Sequence, residues 1–433
     1  MRVTCAAIAV LGLTACGTPS DPSPPGPATY RITPSALWAG GTVTIESSAF
    51  RDLGDGAELD LGLTSIALVR VDDTTMTATL PGDAGGIYDP VVVMEDSLAL
   101  LEQVEVWGFA ATRRYGPESV WLPWDTYVWP RGEPQVIAGT NNGELAIIDL
   151  DTEEIRTIPG VFYPTIGLRG PGATPDDNVL LLKPQGQPLQ SWQFGAVPQK
   201  LGEHPEIGGN RQVLRLGLHS WLVTWNNRVE VWLRPDSSAA YTVAANYPLN
   251  EPQGVHLSPR KDRATLRVNA ASVGATPGVP VFDAPSGDLA YYAPVQSAQG
   301  VDWSADGGLL AMAGREQPGN PYSRGRIVIM DATSGTVVAS VTSELPVFAV
   351  AFDDLRPYLY VGVTSLSGHL AVEVYRRTDL TRLALLEVPD SDAGCGTGDI
   401  CEGGVLAVGA EELHAFYGWN GPARNSRFFL PAP

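Results

Sequence analysis

AQGVDWSADGGLLAMAG, residues 298–314, has two counterparts in the chain: PQGVHLSPRKDRATLRV at 252–268 and VFAVAFDDLRPYLYVGV at 347–363. Each reads as an apolar alternating strand, a polar turn and a second apolar strand. Behind the last two come GRIVIMDATSGTVVASV (325–341) and GHLAVEVYRRTDLTRLALLEV (368–388), which carry a further strand ending near a turn. VIAGTNNGELAIIDLDTEEIRTI (136–158) repeats that second half around Asn142-Gly143, and SWLVTWNNRVEVWLRP (220–235) repeats it around Asn226-Asn227. Asn-Gly is the strongest short hairpin signal, because both central residues of the turn need positive φ.

The starts at 252, 298 and 347 give periods of 46 and 49 residues. A four-stranded unit of about 40–50 residues is the period of a β-propeller blade. Residues 110–433 hold room for seven such units, and the irregular stretch 161–215 leaves six or eight open. The repeats resemble the broad WD40-like and quinoprotein-like propeller group, without the WD dipeptide that would mark a subfamily. Ring closure, which the resemblance implies, removes exposed sheet edges.

Residues 30–107 have a different texture, with short alternating strands separated by turn residues. YRITPSALWAGGTVTIESSAF breaks at Pro34 and turns at Gly40-Gly41 before the alternation of Val43 and Ile45. SIALVRVDDTTMTATLPG pairs two strands around Asp72-Asp73, and IYDPVVVMED and EQVEVWG supply more. Half a dozen or more strands in so short a span predict a small β-sandwich. Ile32-Thr33-Pro34, Gly40-Gly41-Thr42-Val43-Thr44-Ile45, Phe50 and residues 74–81 (TTMTATLP) resemble the IPT/TIG family of immunoglobulin-like domains. Where that family has a glycine-bearing turn before the phenylalanine, this chain has Ser47-Ser48-Ala49. The resemblance implies a spacer or recognition module. The expected fold class is thus all-β, an Ig-like sandwich followed by a propeller.

The N-terminus reads MRVTCAAIAVLGLTAC. One cation, Arg2, precedes an apolar stretch too short to span a bilayer, which is the layout of a secretory signal over residues 1–15. Leu13-Thr14-Ala15-Cys16 resembles the lipobox of bacterial lipoproteins, which implies cleavage before Cys16 and lipidation of its thiol. Residues 16–29 continue as a Pro-rich tether that reaches about 40 Å when extended. Lipid attachment would place the chain on a bacterial envelope membrane, and Gly17 after the cysteine is compatible with the outer membrane or cell surface. Beyond Cys5 and Cys16 only Cys395 and Cys401 are left. Their polar, glycine-rich loop can bend enough to pair them, and a disulfide suits an oxidising compartment.

The chain holds 48 Asp and Glu against 28 Lys and Arg, for a net charge of −20. That balance argues against nucleic acid, whose affinity comes mainly from cations neutralising phosphates. Three of the cations are lysines, Lys183, Lys200 and Lys261, and the arginines form no basic run. With 47 Gly and 36 Pro, long helices are disfavoured.

No H-E-x-x-H, G-x-S-x-G or G-x-x-x-x-G-K-[ST] motif occurs, and His204, His219, His256, His369 and His414 share no local spacing. The acidic stretches DLDTEE (149–154), DLGDGAELD (52–60) and Asp390–Glu402 lack the ligand spacing of a calcium loop and read as solvated turns. Ser304-Ala305-Asp306-Gly307 reads as a turn as well. No catalytic residue, cofactor or metal site is expected from these patterns.

Eleven tryptophans are the remaining signal. Trp121, Trp124 and Trp129 in WLPWDTYVW are the candidate ligand-contact aromatics, since exposed indoles stack on sugars or anchor protein contacts. Trp221, Trp225 and Trp232 flank one hairpin, where core packing is the better reading. The expectation is a non-catalytic scaffold or receptor for an envelope protein or a polysaccharide. The rival is a secreted propeller enzyme, lactonase-, lyase- or dehydrogenase-like, with its site at the channel mouth.

Overall fold

The computed structural model describes residues 29–433 apart from 34–36, 53–55, 63, 95–96, 115–126, 129–134, 140–144, 159–171, 174–178, 183–186, 194–197, 207–211, 271–277, 318–319, 321, 365–368, 390–403, 418–423 and 432. Cys16, Cys395, Cys401, Trp121, Trp124 and Trp129 therefore lie outside the described residues. Within them the chain is all-β, its one helical element being the short 3-10 turn Ser48–Asp52.

Residues 30–107 form three small sheets. In the first, Thr42–Ser47 lies between Tyr30–Thr33 and Thr75–Thr79, with Val69–Arg70 outside. The second runs Ser97–Leu100, Val91–Met94, Glu58–Leu61, Thr64–Ala67. Period-two alternation buries Val43 and Ile45 from one sheet and Leu59, Leu61, Val92 and Met94 from the other. The first strand ends at Thr33, immediately before Pro34, and Leu37–Trp38 then pairs in parallel with Val106–Trp107 in the third sheet. At Ser47-Ser48-Ala49, the Ser47 hydroxyl accepts the Ala49 N–H at 3.2 Å and a 3-10 turn follows. That turn delivers Phe50, fully buried, edge-on to Tyr30 at 5.8 Å.

Seven four-stranded antiparallel sheets follow among the described residues. In six of them the four strands are consecutive in the chain. In the seventh, Phe109–Arg114 pairs with Arg424–Phe429, so the start of the region supplies the outermost strand of its last sheet. The three repeat phrases are strand pairs: Asn250–Leu257 with Arg263–Ala270, Gly300–Trp303 with Leu309–Arg315, and Val347–Phe352 with Tyr358–Thr364.

Turn chemistry repeats with them. Ser304 donates from Oγ to Asp306 Oδ1 at 2.6 Å and accepts the Leu309 N–H, while Gly307 sits at φ +64°. Lys261 takes φ +61° at the same place in the turn Ser258–Arg263. A second turn type recurs between the third and fourth strands, with positive φ at Glu153, Gly287, Gly335 and Leu380. Each of those turns closes through the same backbone bond, as from Asp331 N–H to Thr336 O and from Asp149 N–H to Glu154 O. The acidic stretch 149–154 is thus a hairpin turn: Asp149 Oδ1 accepts the N–H groups of Asp151 and Thr152 at 3.1 and 2.8 Å.

Apolar faces of successive sheets pack on one another, and the three small sheets of residues 30–107 join the same core. Trp38 lies edge-on to Tyr358 and Tyr360 at 5.5 and 6.5 Å. Gly40, at φ +69°, comes so close that a Cβ there would strike the Leu385 carbonyl oxygen. The Glu387 N–H donates to Gly82 O at 3.0 Å across the same seam.

Candidate interaction surface

The hairpin Ser220–Trp225 with Arg228–Leu233 sits at the centre of the sheet that begins at Val213. Its register places Trp221 opposite Trp232, Val223 opposite Glu230, and Trp225 opposite Arg228. Alternation puts all six on one face, joined by Val213 and Arg215 from the inner strand. The other face, with Leu222, Val229 and Val231, packs forward into the next core. The Trp face looks back onto Leu181 and Leu189 of the preceding sheet. Trp221 is fully buried there, whereas Trp225 and Trp232 are half-buried at the outer part of the seam.

Glu230 organises this outer part. Its Oε2 accepts the indole N–H of Trp225 at 2.8 Å and of Trp232 at 2.9 Å, and its Oε1 accepts Arg228 Nε at 2.7 Å. Burial alone would raise the carboxyl, but the three donors outweigh it and hold it below its ordinary value. Glu230 is therefore a permanent carboxylate at neutral pH. The Arg228 guanidinium also lies 4.8 Å from the Trp225 ring centre. Arg215 lies 5.8 Å from Trp221, and Arg234 4.6 Å from Tyr241, within cation–π range.

With both indole N–H groups engaged, Trp225 and Trp232 offer ring surface and no free donor. Their rotamers are locked by one carboxylate, so a partner meeting them loses little further side-chain entropy. Trp, Tyr and Arg are the residues enriched where binding energy concentrates. Exposed apolar residues border the patch: Val243, opposite Trp232 on the outer strand, and Leu218 at the turn before Ser220.

The histidines are spread over different sheets. His204 packs on Trp221 at 5.5 Å between ring centres, with Nε2 3.2 Å from Ser191 Oγ and Nδ1 3.6 Å from Glu206 Oε1. Burial lowers its pKa, against the opposing pull of Glu206. His219 Nδ1 accepts Arg234 Nε at 3.3 Å. His256 is pushed down to about 3 by burial and by Arg267. His414 is fully buried between sheets, with Nε2 3.3 Å from Asp151 and 3.7 Å from Glu412, and with Nδ1 against Asn425. Burial lowers it despite those carboxylates. Among the described residues no three His, Cys, Asp or Glu side chains are grouped to hold a metal ion.

Sequence reading singled out Trp221, Trp225 and Trp232 but missed Arg228, Glu230, Arg215, Arg234 and Tyr241. The signal was present in Arg228-Val229-Glu230-Val231-Trp232. A carboxylate alternating with an arginine and an indole on one strand face needs neutralisation from its neighbours.

No family model and no curated protein matches the chain. Solved structures do. A chain in a structure titled "Crystal Structure of Mitotic Checkpoint Complex" is similar with a TM-score of 0.52 and 11% identity, over 75% of this chain and 92% of that one. The β-propeller domain of Cps50 (Swd1) from Myceliophteria thermophila is similar over 74% of this chain and all of that one, at 13% identity and a TM-score of 0.47. Both are WD40 β-propeller domains. The chain carries a β-propeller. At 11% identity the likeness concerns fold alone and carries nothing about the Trp–Arg–Glu patch.

Proposed function

We propose that the protein is an extracytoplasmic scaffold or receptor that binds a protein or polysaccharide partner without chemically altering it. The observation that carries this reading is the patch of Trp225, Trp232 and Arg228 locked by Glu230 on the propeller's seam. WD40-type propellers are a common protein-interaction architecture, which favours a protein partner over a polymer. In this reading each of the seven four-stranded sheets is one blade, and the three small sheets of residues 30–107 are an Ig-like sandwich of IPT/TIG type. Cys16 carries lipid, Cys395 and Cys401 form a disulfide, and Trp121, Trp124 and Trp129 are further contact aromatics.

The test is crosslinking in the producing cell from the tagged, anchored protein, comparing wild type with Trp225→Ala/Trp232→Ala and with Cys16→Ser. A specific envelope component lost from both variants is the expected outcome. Recovery unaffected by the double tryptophan variant would sink the patch as the binding surface. Labelling by a clickable fatty acid that persists in Cys16→Ser would sink the anchor.

The enzyme reading has one observation of its own, the line Ser191 Oγ, His204, Glu206 at 3.2 and 3.6 Å. Ser191 is only 8% exposed, which bars a substrate carbonyl from the hydroxyl unless the strand opens. A serine-directed fluorophosphonate probe decides it: the scaffold reading predicts no labelling, and labelling lost in Ser191→Ala would establish the enzyme.

A further inference from the structure

Half of the net charge of −20 lies in residues 30–107, where thirteen carboxylates stand against Arg31, Arg51 and Arg70. None of these arginines is on the sheet Ser97–Leu100, Val91–Met94, Glu58–Leu61, Thr64–Ala67. The register of its outward face gives two rows, Leu98–Val93–Glu58 and Leu100–Val91–Asp60. Leu98 is 71% and Leu100 80% exposed, among the most exposed large apolar residues described. Both sit on the edge strand, and among the described residues nothing pairs beyond it.

Edge strands are ordinarily blunted by Lys, Pro or a bulge, because their free backbone groups template further pairing. Ser97–Leu100 has none of these and is guarded only by being short. Two exposed leucines at alternate positions continue the apolar row of Val91 and Val93 to the rim, and Glu58, Asp60 and Glu102 border it.

We propose that this edge receives an extended segment of a partner protein as an added strand, apolar at alternate positions and flanked by Lys or Arg. Backbone pairing gives affinity, the leucines read the alternation, and the carboxylates select the flanking cations. A second copy of this chain fits poorly, since it would bring two strongly acidic domains together. The inference rests on the scaffold reading but uses a surface distinct from the tryptophan patch.

The experiment uses the full chain and two labelled peptides, one alternating Val and Thr between paired lysines, the other with glutamates in place of the lysines. Fluorescence anisotropy is expected to show saturable binding of the first, weakened by salt, and at least about tenfold weaker binding of the second. Leu98→Lys/Leu100→Lys is expected to weaken the first by a similar factor, while Val338→Lys, at an exposed position of the propeller, leaves it unchanged. Both leucines are exposed, so circular dichroism should report an unaltered fold. The proposal is overturned if the lysine peptide does not bind, if both peptides bind alike, or if the leucine variant binds as wild type. A concentration-dependent dimer in light scattering, abolished by the leucine variant, would make a second copy the occupant and overturn it too. Because Trp225 and Trp232 are untouched, failure here leaves the tryptophan-patch reading standing, and the converse holds.

Discussion

The Tyr360 hydroxyl donates to Asp353 Oδ2 at 2.8 Å, and the same oxygen receives Arg356 Nη1 at 3.0 Å. All three side chains are buried. Asp353 Oδ1 also accepts the N–H groups of Leu355 and Arg356, each at 3.0 Å. Arg356 in turn donates to the carbonyls of Ala410, in the turn before Glu412–Tyr417 of the closing sheet, and of Pro431, just past its strand Arg424–Phe429. On its other side Tyr360 meets Trp38 of the strand Leu37–Trp38. One carboxylate thus ties the small sheets of residues 30–107, the sheet beginning at Val347 and the closing sheet to a common point.

Asp353→Ala is expected to cost about 3–5 kcal/mol, because it strands a buried guanidinium and a buried phenol together. Tyr360→Phe removes one hydrogen bond and should cost about 1–3 kcal/mol, with a charged acceptor at the upper end. Urea unfolding of both variants checks the order. An Asp353→Ala protein within 1 kcal/mol of wild type would show that water reaches Arg356 and that the network is not a structural tie.

Gly40 and Gly62 make a matched pair for the seam. Both lie in the left-handed region, at φ +69° and +67°. A Cβ at Gly62 would meet nothing within 4 Å, whereas at Gly40 it would strike the Leu385 carbonyl. Gly62→Ala should therefore cost only the backbone strain, about 1 kcal/mol, and Gly40→Ala distinctly more. Limited proteolysis should also find residues 30–107 loosened from the propeller only in Gly40→Ala. Equal destabilisation in thermal melts would mean that residues 30–107 and the propeller do not pack closely in solution.

Trp38→Ala probes the same seam from its centre. Truncating a buried tryptophan costs about 3–5 kcal/mol. Since the ring bridges two bodies, the loss should fall on their contact. Calorimetry is expected to show one transition in wild type and two in the variant. A single transition merely shifted to lower temperature would place Trp38 in the core of residues 30–107 instead.

The propeller was legible because each repeat writes its alternation twice with a turn between, and the turns carry their own chemistry in Ser304, Asp306 and Gly307. The acidic stretch at Asp149 was legible as a turn for a related reason: its carboxylate caps two N–H groups in sequence. The alternation of Arg228, Glu230 and Trp232 was legible as a carboxylate in need of partners, but the joint hold of Glu230 on two indoles was not. Nothing in its own vicinity says that Trp225, five residues earlier, and Trp232, two later, aim at the same oxygen. That follows from the cross-strand register, which the Asn226-Asn227 turn sets and which single-residue reading does not supply. The contact of Trp38 with Tyr358 and Tyr360 was hidden similarly, since it joins positions over three hundred residues apart.

Glu230 also gives the patch a pH dependence. Its folded carboxyl is held below its ordinary 4.5, first against burial and then by Arg228, Trp232 and Trp225. A depressed carboxyl contributes stability above the unfolded value and loses it as pH falls through the folded one. Stability should therefore decline as pH drops below 4.5, and Glu230→Gln should flatten that decline while lowering stability at pH 7. Tryptophan emission provides a local reading. Protonation releases the indole N–H bonds, so a red shift is expected on acidification in wild type and already at pH 7 in Glu230→Gln. If urea midpoints of wild type and Glu230→Gln run parallel from pH 7 to pH 3, the carboxylate is not what holds Trp225 and Trp232, and the patch loses its rigid anchor.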